Sequence, residues 1–483
     1  MDLTTTGAFR REGFGRLLII VGLVAAAAAL IMTTRHPGRL PAGDLYETSR
    51  QRLMQADFMY RLSGFLEAAS ARDALPGLVR SDEVRQMRER AIASYEREIL
   101  VPKPNAAALH RLGIIYGERG YEAQAEQTLT RAATLDEPRA SLYFALAQVY
   151  GAKLERHPLP ATLIPRLKQQ EKWLAAPALQ TFYELTGNAK MADETRRAQA
   201  RGLFRFGLQA LLLLAVSAGL GLVGVIIIIR AIIRRGFYVP PPPPVRSPLV
   251  VPWEPLDVLQ GIGVLYFVMA LMGVLAGLLI QRVPETPADD TIRAMIIAAQ
   301  YLLFSAAVIG YIWHHVRAPK TRRLRALGAR VPHLWRLVGE GIGGYGVLVV
   351  VLAVMSLSGH SGPLTGCLAM LQTGERLAMN MQTLPAKVIL FVLICIIAPV
   401  VEELIFRGFV YAGLRRRMTF MGAVLASAII FALMHTNPQG LVPITLIGIV
   451  LATLYERNRS IVPSVICHAL NNTLVFFLML LAQ

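Results

Sequence analysis

The sequence predicts an all-α polytopic membrane protein, a bundle of about eight or nine transmembrane helices with a soluble α-helical domain inserted after the first. Composition is the first observation: 54% of the 483 residues are hydrophobic and only 17% are charged, whereas soluble domains carry about 25% charged residues. Mean hydropathy is correspondingly high, at +0.46. The second observation is that long apolar runs recur along the chain, and the third is that one polar stretch, residues 40–200, interrupts them.

The formal net charge is +18, from 50 basic and 32 acidic residues. In a membrane protein such an excess reflects the basic loops that stay in the cytoplasm. Nucleic acid is not an expected partner, because no basic module interleaved with aromatic residues is present. The three cysteines form neither a disulfide framework nor a zinc-binding pattern. The soluble domain must therefore be stabilised by packing alone.

The first apolar run, residues 17–33, is flanked by arginines on both sides. Its length exceeds that of a usual signal-peptide core, and no small-x-small cleavage site follows it. We therefore expect residues 1–39 to be an uncleaved transmembrane anchor rather than a cleaved signal peptide.

Eight further apolar segments predict the remaining spans. They are residues 207–229, 257–280, 294–313, 337–358, 386–406, 420–435, 441–455 and 461–481. The loop at 314–336 is rich in arginine and has no acidic residue, whereas the loop at 281–293 carries acidic residues. Nine spans with a cytoplasmic N-terminus satisfy this distribution. The expected location is a bacterial inner (plasma) membrane, with the soluble domain on the extracytoplasmic side.

Residues 40–200 contain a pattern with a period of 34 residues. Its members are Leu112, Gly113, Tyr116, Ala125, Leu129, Ala132 and Pro138, with counterparts at Ala91, Tyr95 and Pro104 before them and Tyr143, Leu146, Ala147 and Tyr150 after them. The pattern resembles two tetratricopeptide (TPR) units and a degenerate third, within about residues 72–152. The resemblance implies a protein or peptide partner. An unrelated antiparallel helical domain is the alternative.

A proline-rich stretch separates this region from the C-terminal domain. Residues 201–235 contain a transmembrane helix, and residues 236–252 include five consecutive prolines, Pro240 to Pro244. Such a run forms a stiff polyproline II spacer. The spacer marks residues 253–483 as a separate membrane domain.

Three apolar segments of that domain each carry polar side chains. These are Glu402, Glu403 and Arg407; His435; and His468 with Asn472. A charged residue in a bilayer costs roughly 2.5–3.5 kcal/mol on insertion scales, and such residues face the bundle interior and each other. Glu403 and Arg407 share a helix face and can pair. Glu402 then remains to be explained, and we expect the three polar faces to converge.

A carboxylate with two imidazoles suits two hydrolytic chemistries. The histidines can hold a Lewis-acid metal while Glu402 takes a proton from bound water. Alternatively, Glu402 and one histidine activate water directly, and the other histidine with Asn472 stabilises the oxyanion. A single histidine of this kind would more often be a helix-packing residue, but three polar helices together favour a site.

The ordered motifs Glu402-Glu403-x-x-x-Arg407, Phe431-x-x-x-His435 and His468-x-x-x-Asn472 resemble the CPBP family of intramembrane proteases. That family includes the CAAX prenyl endopeptidases and bacteriocin-processing relatives. The resemblance covers residues 386–481.

The resemblance implies an intramembrane endopeptidase acting on a membrane-associated protein or peptide. Glu402 would be the general base, His435 and His468 would position the water or a divalent metal such as zinc, and Asn472 would stabilise the tetrahedral intermediate. Glu403 would belong to the catalytic residues as well and would pair with Arg407. Arg407 and Phe431 would have a structural or substrate-orienting role. Family members are described both as metalloproteases and as glutamate proteases, so the cofactor stays open. A CAAX substrate is not expected in a bacterium.

Other intramembrane protease signatures are not supported. The sequence has no His-Glu-x-x-His and no Gly-x-Gly-Asp, and Gly359-His-Ser361-Gly362 mimics a rhomboid motif without a following apolar helix. Two other functions remain open: a non-enzymatic membrane adaptor or immunity protein that binds a partner through the TPR-like domain, and a proton-coupled transporter.

Depth along the bilayer normal gives one structural prediction. If the Glu402 helix ended at Arg407, Glu402 would lie about 22 Å from His435 along the normal, at 1.5 Å per residue. The two side chains could not then meet. We therefore predict one long helix from about residue 386 to 416.

Overall fold

The computed structural model describes residues 42–70, 81–102, 104–155, 158–168, 172–233, 251–283, 289–316, 323–357, 381, 383–435 and 441–482. Every regular element in these ranges is helical. The predicted anchor at 17–33, the five prolines and the Gly359–Gly362 loop lie outside the described residues. The described chain divides into two compact units, residues 41–214 and residues 215–479.

The first unit is a stack of antiparallel helices. They are α1 (Ala42–Ser70), α2 (Ser81–Ile99), α3 (Ala106–Glu118), α4 (Glu122–Leu135), α5 (Ala140–Glu155), α6 (Leu163–Leu167), α7 (Lys172–Leu185) and the first part of α8 (Ala189–Ile233). Helices α3 and α5 begin 34 residues apart, at Ala106 and Ala140. This spacing agrees with the period of the sequence pattern, and the tetratricopeptide assignment itself stays a prediction.

Small residues of the pattern allow α3 and α4 to pack closely. Ala125 and Leu129 of α4 are fully buried. A Cβ atom at Gly113 of α3 would lie 2.5 Å from the Leu129 side chain. A buried ion pair adds to this packing, because Arg111 donates to both carboxylate oxygens of Asp57 at 2.6 and 2.7 Å. Helix packing and one neutralised charge pair therefore hold this unit together.

The second unit contains the membrane helices. Besides the second part of α8 they are α9 (Pro255–Ile280), α10 (Asp290–His315), the short α11 (Arg323–Ala326), α12 (Leu334–Leu357), α13 (Leu384–Arg415), α14 (Phe420–Met434), α15 (Leu441–Asn458) and α16 (Val462–Ala482). Within the described ranges, seven helices are long and apolar enough to span a membrane. These helices make the chain an integral membrane protein. Helix α14 has 15 residues and is shorter than a span, so the nine-span topology stays a prediction.

Helix α13 is continuous over 32 residues, which confirms the long helix predicted from depth. It contains two π-helical segments, Val392–Ile397 and Leu404–Tyr411, on either side of the α-helical turn Ala398–Glu403. Wide turns of this kind are frequent at functional sites. The two carboxylates therefore lie on the one regular turn between two widened ones.

Close helix crossings fix the helices around α13. A Cβ atom at Gly448 of α15 would lie 2.9 Å from Ala428 of α14, and one at Gly408 of α13 would lie 2.5 Å from the Leu327 carbonyl oxygen. The Trp253 indole donates to the Phe409 carbonyl at 3.0 Å. Because such contacts leave no room for adjustment, the polar side chains of α13 have well-defined neighbours.

Candidate active site

Glu403 and Arg407 form the ion pair that their spacing predicts. The distance from Glu403 Oε1 to Arg407 Nη1 is 3.0 Å, and both side chains are completely buried. The guanidinium also lies against the Phe431 ring, 4.5 Å from its centroid. Complete burial places this pair beyond the reach of a substrate.

Glu403 has a second partner, which the sequence spacing did not reveal. Its Oε1 atom lies 3.0 Å from Nδ1 of His468 on α16. A carboxylate at this distance holds the imidazole as the tautomer with a proton on Nδ1. In the neutral ring, Nε2 is then an unprotonated acceptor. Glu403 therefore sets the orientation of His468.

Glu402 faces the other side of the same imidazole. Its Oε2 atom lies 3.9 Å from His468 Nε2, and its side chain keeps 12% of its surface exposed. Among the described residues, this oxygen has no hydrogen-bond partner. Glu402 is therefore the less buried carboxylate of the two, and its Oε2 atom, which is itself buried, faces an imidazole nitrogen.

Tyr301 on α10 provides a contact that the sequence interpretation missed. Its hydroxyl donates to Glu402 Oε1 at 3.3 Å. The sequence signal was weak, since Tyr301 is one aromatic residue within a long apolar segment. A hydrogen bond on one oxygen limits the rotation of the carboxylate and leaves the other oxygen towards His468.

His435 ends helix α14 and is held by its own helix. Its Nδ1 atom lies 2.8 Å from the Phe431 carbonyl oxygen, and the residue is 9% exposed. A carbonyl can only accept, so Nδ1 carries the proton and Nε2 of the neutral ring is again an acceptor. Both histidines thus use Nδ1 for orientation and keep Nε2 for another partner.

The Phe431 ring lies at the centre of the cluster. Its centroid is 4.6 Å from that of His435, 5.8 Å from that of His468 and 5.0 Å from that of Phe406, all in edge-to-face geometry. Contacts of this kind stabilise a defined arrangement of rings. Phe431 thus brings together the motifs of α13, α14 and α16.

Asn472 contacts the backbone of α13. Its Nδ2 atom donates to the carbonyl oxygen of Ile394 at 3.0 Å, in the first π-helical segment. A π-helical turn changes the pairing of backbone carbonyls, and this amide satisfies one of them. An amide group has two N–H donors, so one donor of Asn472 remains for another acceptor.

The donor set has the chemistry of a zinc site but not its arrangement. Two imidazole Nε2 atoms and the Glu402 carboxylate are suitable ligands. Zinc-binding histidines also typically donate their other ring N–H to a carboxylate or carbonyl oxygen, as Nδ1 does in both histidines here. In the part of the chain that the structure describes, however, no three His, Cys, Asp or Glu side chains are arranged to hold one ion.

Part of the chain is similar to known membrane proteases. Residues 384–474 match the family model described as Type II CAAX prenyl endopeptidase Rce1-like. The chain is similar to "Putative membrane peptidase YdiL" from Bacillus subtilis (strain 168), with 29% identity over 100 residues. That similarity covers 21% of this chain and 41% of the relative. No solved structure matches the chain significantly.

The seven apolar helices and the comparisons together make the C-terminal part of the chain similar to membrane peptidases. More specifically, residues 384–474 are similar to the Rce1-like domain of the CAAX prenyl endopeptidases. The family match does not reach residues 41–214, and the side of the membrane on which that unit lies stays a prediction.

Proposed function

We propose that the protein is an intramembrane endopeptidase that hydrolyses a peptide bond of a membrane-associated protein or peptide. The proposal depends on one observation, the 3.9 Å separation between Glu402 Oε2 and His468 Nε2. With Glu402 ionised and His468 neutral, both atoms are acceptors. A single water molecule that contacts both atoms can donate one proton to each, and polar separations beyond 3.5 Å are those at which bridging waters occur.

Glu402 is the general base in this mechanism. As the water oxygen attacks the carbonyl carbon of the substrate, Glu402 takes one water proton. The tetrahedral intermediate carries an oxyanion, and the remaining N–H donor of Asn472 is the neutral group suited to stabilise it. Collapse of the intermediate breaks the C–N bond, and Glu402 passes its proton to the leaving amine. The products are a carboxylate and an amine, and Glu402 is regenerated.

His468 orients the water through its acceptor Nε2, and His435 packs beside it against the Phe431 ring. Glu403 acts through His468 and is a positioning residue. A divalent metal such as zinc, which would lower the pKa of a bound water, would need a different arrangement of the two histidine Nε2 atoms and Glu402. Metal content of the purified protein, compared between wild type and His435→Ala with His468→Ala, tests this role directly.

The cellular experiment for the proposed function compares membrane proteins processed in cells that carry either wild-type protein or Glu402→Ala. We expect new C-termini in the wild-type cells that are lost with the variant, at equal amounts of membrane-inserted protein. Processing that persists with Glu402→Ala would reject the function. A phenotype that survives Glu402→Ala but is lost on deletion of residues 42–200 would indicate an adaptor instead.

Tyr301→Phe should lower kcat about fivefold with little change in KM, because a hydrogen bond of about 1 kcal/mol to the catalytic carboxylate is lost. Steady-state hydrolysis by the reconstituted protein measures both constants. Tyr266→Phe on α9, which likewise removes one hydroxyl from a partly buried tyrosine, is the matched control and should leave both constants unchanged. A fall in thermal stability with unchanged kcat would assign Tyr301 a purely structural role.

A further inference from the structure

A polar recess in the first unit has features that packing does not explain. Tyr60 on α1 donates to Glu118 Oε2 on α3 at 3.0 Å. The Gln199 side chain on α8 hydrogen-bonds the same carboxylate. Residue Glu118 retains exposed surface, yet the groups packed around its carboxyl desolvate it and raise its pKa. Glu118 therefore lies in a recess that solvent can enter, at the meeting point of three helices.

The arginines near this carboxylate are engaged by other acids. Arg88 pairs with Glu67, and Arg119 pairs with Glu89 at 2.8 Å. The hydrogen bonds that Glu118 receives come from a phenol and an amide, which are both neutral. A carboxylate offers about four acceptor positions. The recess thus keeps a negative group with unused acceptor capacity.

Tyr150 on α5 provides the second, independent observation. It is 1% exposed, and among the described residues its hydroxyl has no hydrogen-bond partner. The ring rests on Gly117, where a Cβ atom would lie 2.2 Å from it. Gly117 directly precedes Glu118, so the ring lies beside this carboxylate, and burial with the charges of Glu118 and Tyr60 raises the pKa of Tyr150. Buried polar groups without partners are uncommon and indicate a missing ligand or water.

We propose that this recess binds an alkylammonium group of a polypeptide, either a lysine side chain or a free N-terminus. The ammonium pairs with Glu118 and donates to the Tyr150 hydroxyl, against the Tyr60 ring. An ammonium has three donors in a compact group. A guanidinium is less suitable, because its bidentate geometry requires both carboxylate oxygens, and Tyr60 already occupies Oε2.

Aromatic side chains around the recess support a cationic ligand. The Tyr60 and Trp173 rings lie 6.4 Å apart at an interplanar angle of 40°. Aromatic faces attract ammonium groups, more strongly where water is excluded. The proposal concerns binding only and does not depend on the proposed peptidase function.

Peptide binding to the full-length protein in lipid nanodiscs tests the proposal. Every protein carries Glu402→Gln, so that binding is measured without hydrolysis. The first probe is a fluorescein-labelled heptapeptide with an acetylated N-terminus and one central lysine. The second replaces this lysine with Nε-acetyl-lysine. The third has norleucine at that position and a free N-terminus, so the first and third distinguish the two sources of ammonium.

We expect Glu118→Gln to weaken binding of at least one amine-bearing peptide tenfold or more, and acetylation of the amine to do the same. Glu122→Gln removes an equal charge from a carboxylate paired with Lys153 and should change Kd less than twofold. Tyr150→Phe should weaken binding several-fold. Two results would overturn the proposal. One is that the lysine and acetyl-lysine peptides bind equally well and that Glu118→Gln leaves the affinity for the free-N-terminus peptide unchanged. The other is that neither amine-bearing peptide binds saturably.

The pH dependence separates lost binding from lost folding. Five groups face the Glu118 carboxyl or its hydrogen-bond partners: Tyr60, Arg88, Arg119, Tyr150 and Gln199. Because the pKa of Glu118 is raised, ammonium binding should be lost as the pH falls through a value above the ordinary 4.5. A raised folded-state pKa also means that ionisation opposes folding, so stability falls as the pH rises through that pKa. Glu118→Gln should therefore melt above wild type at pH 8.

Discussion

Replacing Glu402 with glutamine is expected to lower kcat for peptide-bond hydrolysis at least about a hundredfold, the lower end of the range for a lost general base. The amide has nearly the same shape, and its carbonyl oxygen can still accept from Tyr301. It cannot take a proton from water, however. Its NH2 group would donate towards His468 Nε2, whereas the carboxylate oxygen at that position is an acceptor. The protein should therefore insert, fold and bind substrate while the chemical step fails.

The measurement is single-turnover cleavage by protein reconstituted in liposomes, with a substrate identified from the processed C-termini in cells and products separated by mass spectrometry. Glu340→Gln is the matched control, because Glu340 pairs with Arg457 at 3.1 Å outside the cluster of α13, α14 and α16. It loses the same charge and should retain full activity. A Glu402→Gln protein with more than a tenth of the wild-type rate would contradict the role of Glu402 as base.

The sequence predicted the features that depend on spacing along a single helix. Glu403 and Arg407 are four residues apart, so their pairing follows from helix geometry, and the length of α13 followed from the depth that Glu402 and His435 must share. Convergence of the three polar faces was predicted from the cost of charge in a bilayer. The structure agrees with it in the contacts of His468 with both carboxylates and of Phe431 with both imidazoles.

Contacts between helices were not predictable from one sequence. Tyr301 is indistinguishable in the sequence from other aromatic residues that face lipid, and only the packing of α10 against α13 brings it to Glu402. The π-helical segments have no local sequence signature, so the Asn472 contact with the Ile394 carbonyl could not be inferred. The spacing of residues along the helix predicted Arg407 as a partner of Glu403, whereas the structure shows both Arg407 and His468.

The two carboxylates differ because of their neighbours rather than their position in the sequence. Each acid has one oxygen without a hydrogen-bond partner among the described residues. Glu403 is completely buried and pairs with Arg407 and His468, whereas Glu402 keeps 12% of its side chain exposed and is hydrogen-bonded by the neutral Tyr301 hydroxyl. The absence of a cationic ion-pair partner on Glu402 is what suits it to exchange protons. In the proposed mechanism Arg407 therefore acts only through Glu403, its ion-pair partner, whose Oε1 atom accepts from His468 Nδ1.

Glu403→Ala should destabilise the protein by about 3–5 kcal/mol, the usual cost of removing one partner from a buried ion pair. The remaining Arg407 guanidinium would be fully buried, with the Phe431 ring and the Gly448 carbonyl at 3.4 Å as its contacts. Neither neutralises a full charge. The loss of the His468 Nδ1 partner adds a second unsatisfied donor, so activity should fall together with stability.

Reversible unfolding in mixed micelles, followed by circular dichroism, measures this change. Glu89→Ala is the control for a lost pair at the surface, where Glu89 lies 2.8 Å from Arg119, and should cost less than about 1 kcal/mol. The double variant Glu403→Leu with Arg407→Met should recover much of the stability lost in Glu403→Ala, because no uncompensated charge remains. It should not recover activity, because His468 would still lack the acceptor that fixes its tautomer. If Glu403→Ala were as stable as wild type, Arg407 would have to be neutralised by another group, and the structural role assigned to Glu403 would be wrong.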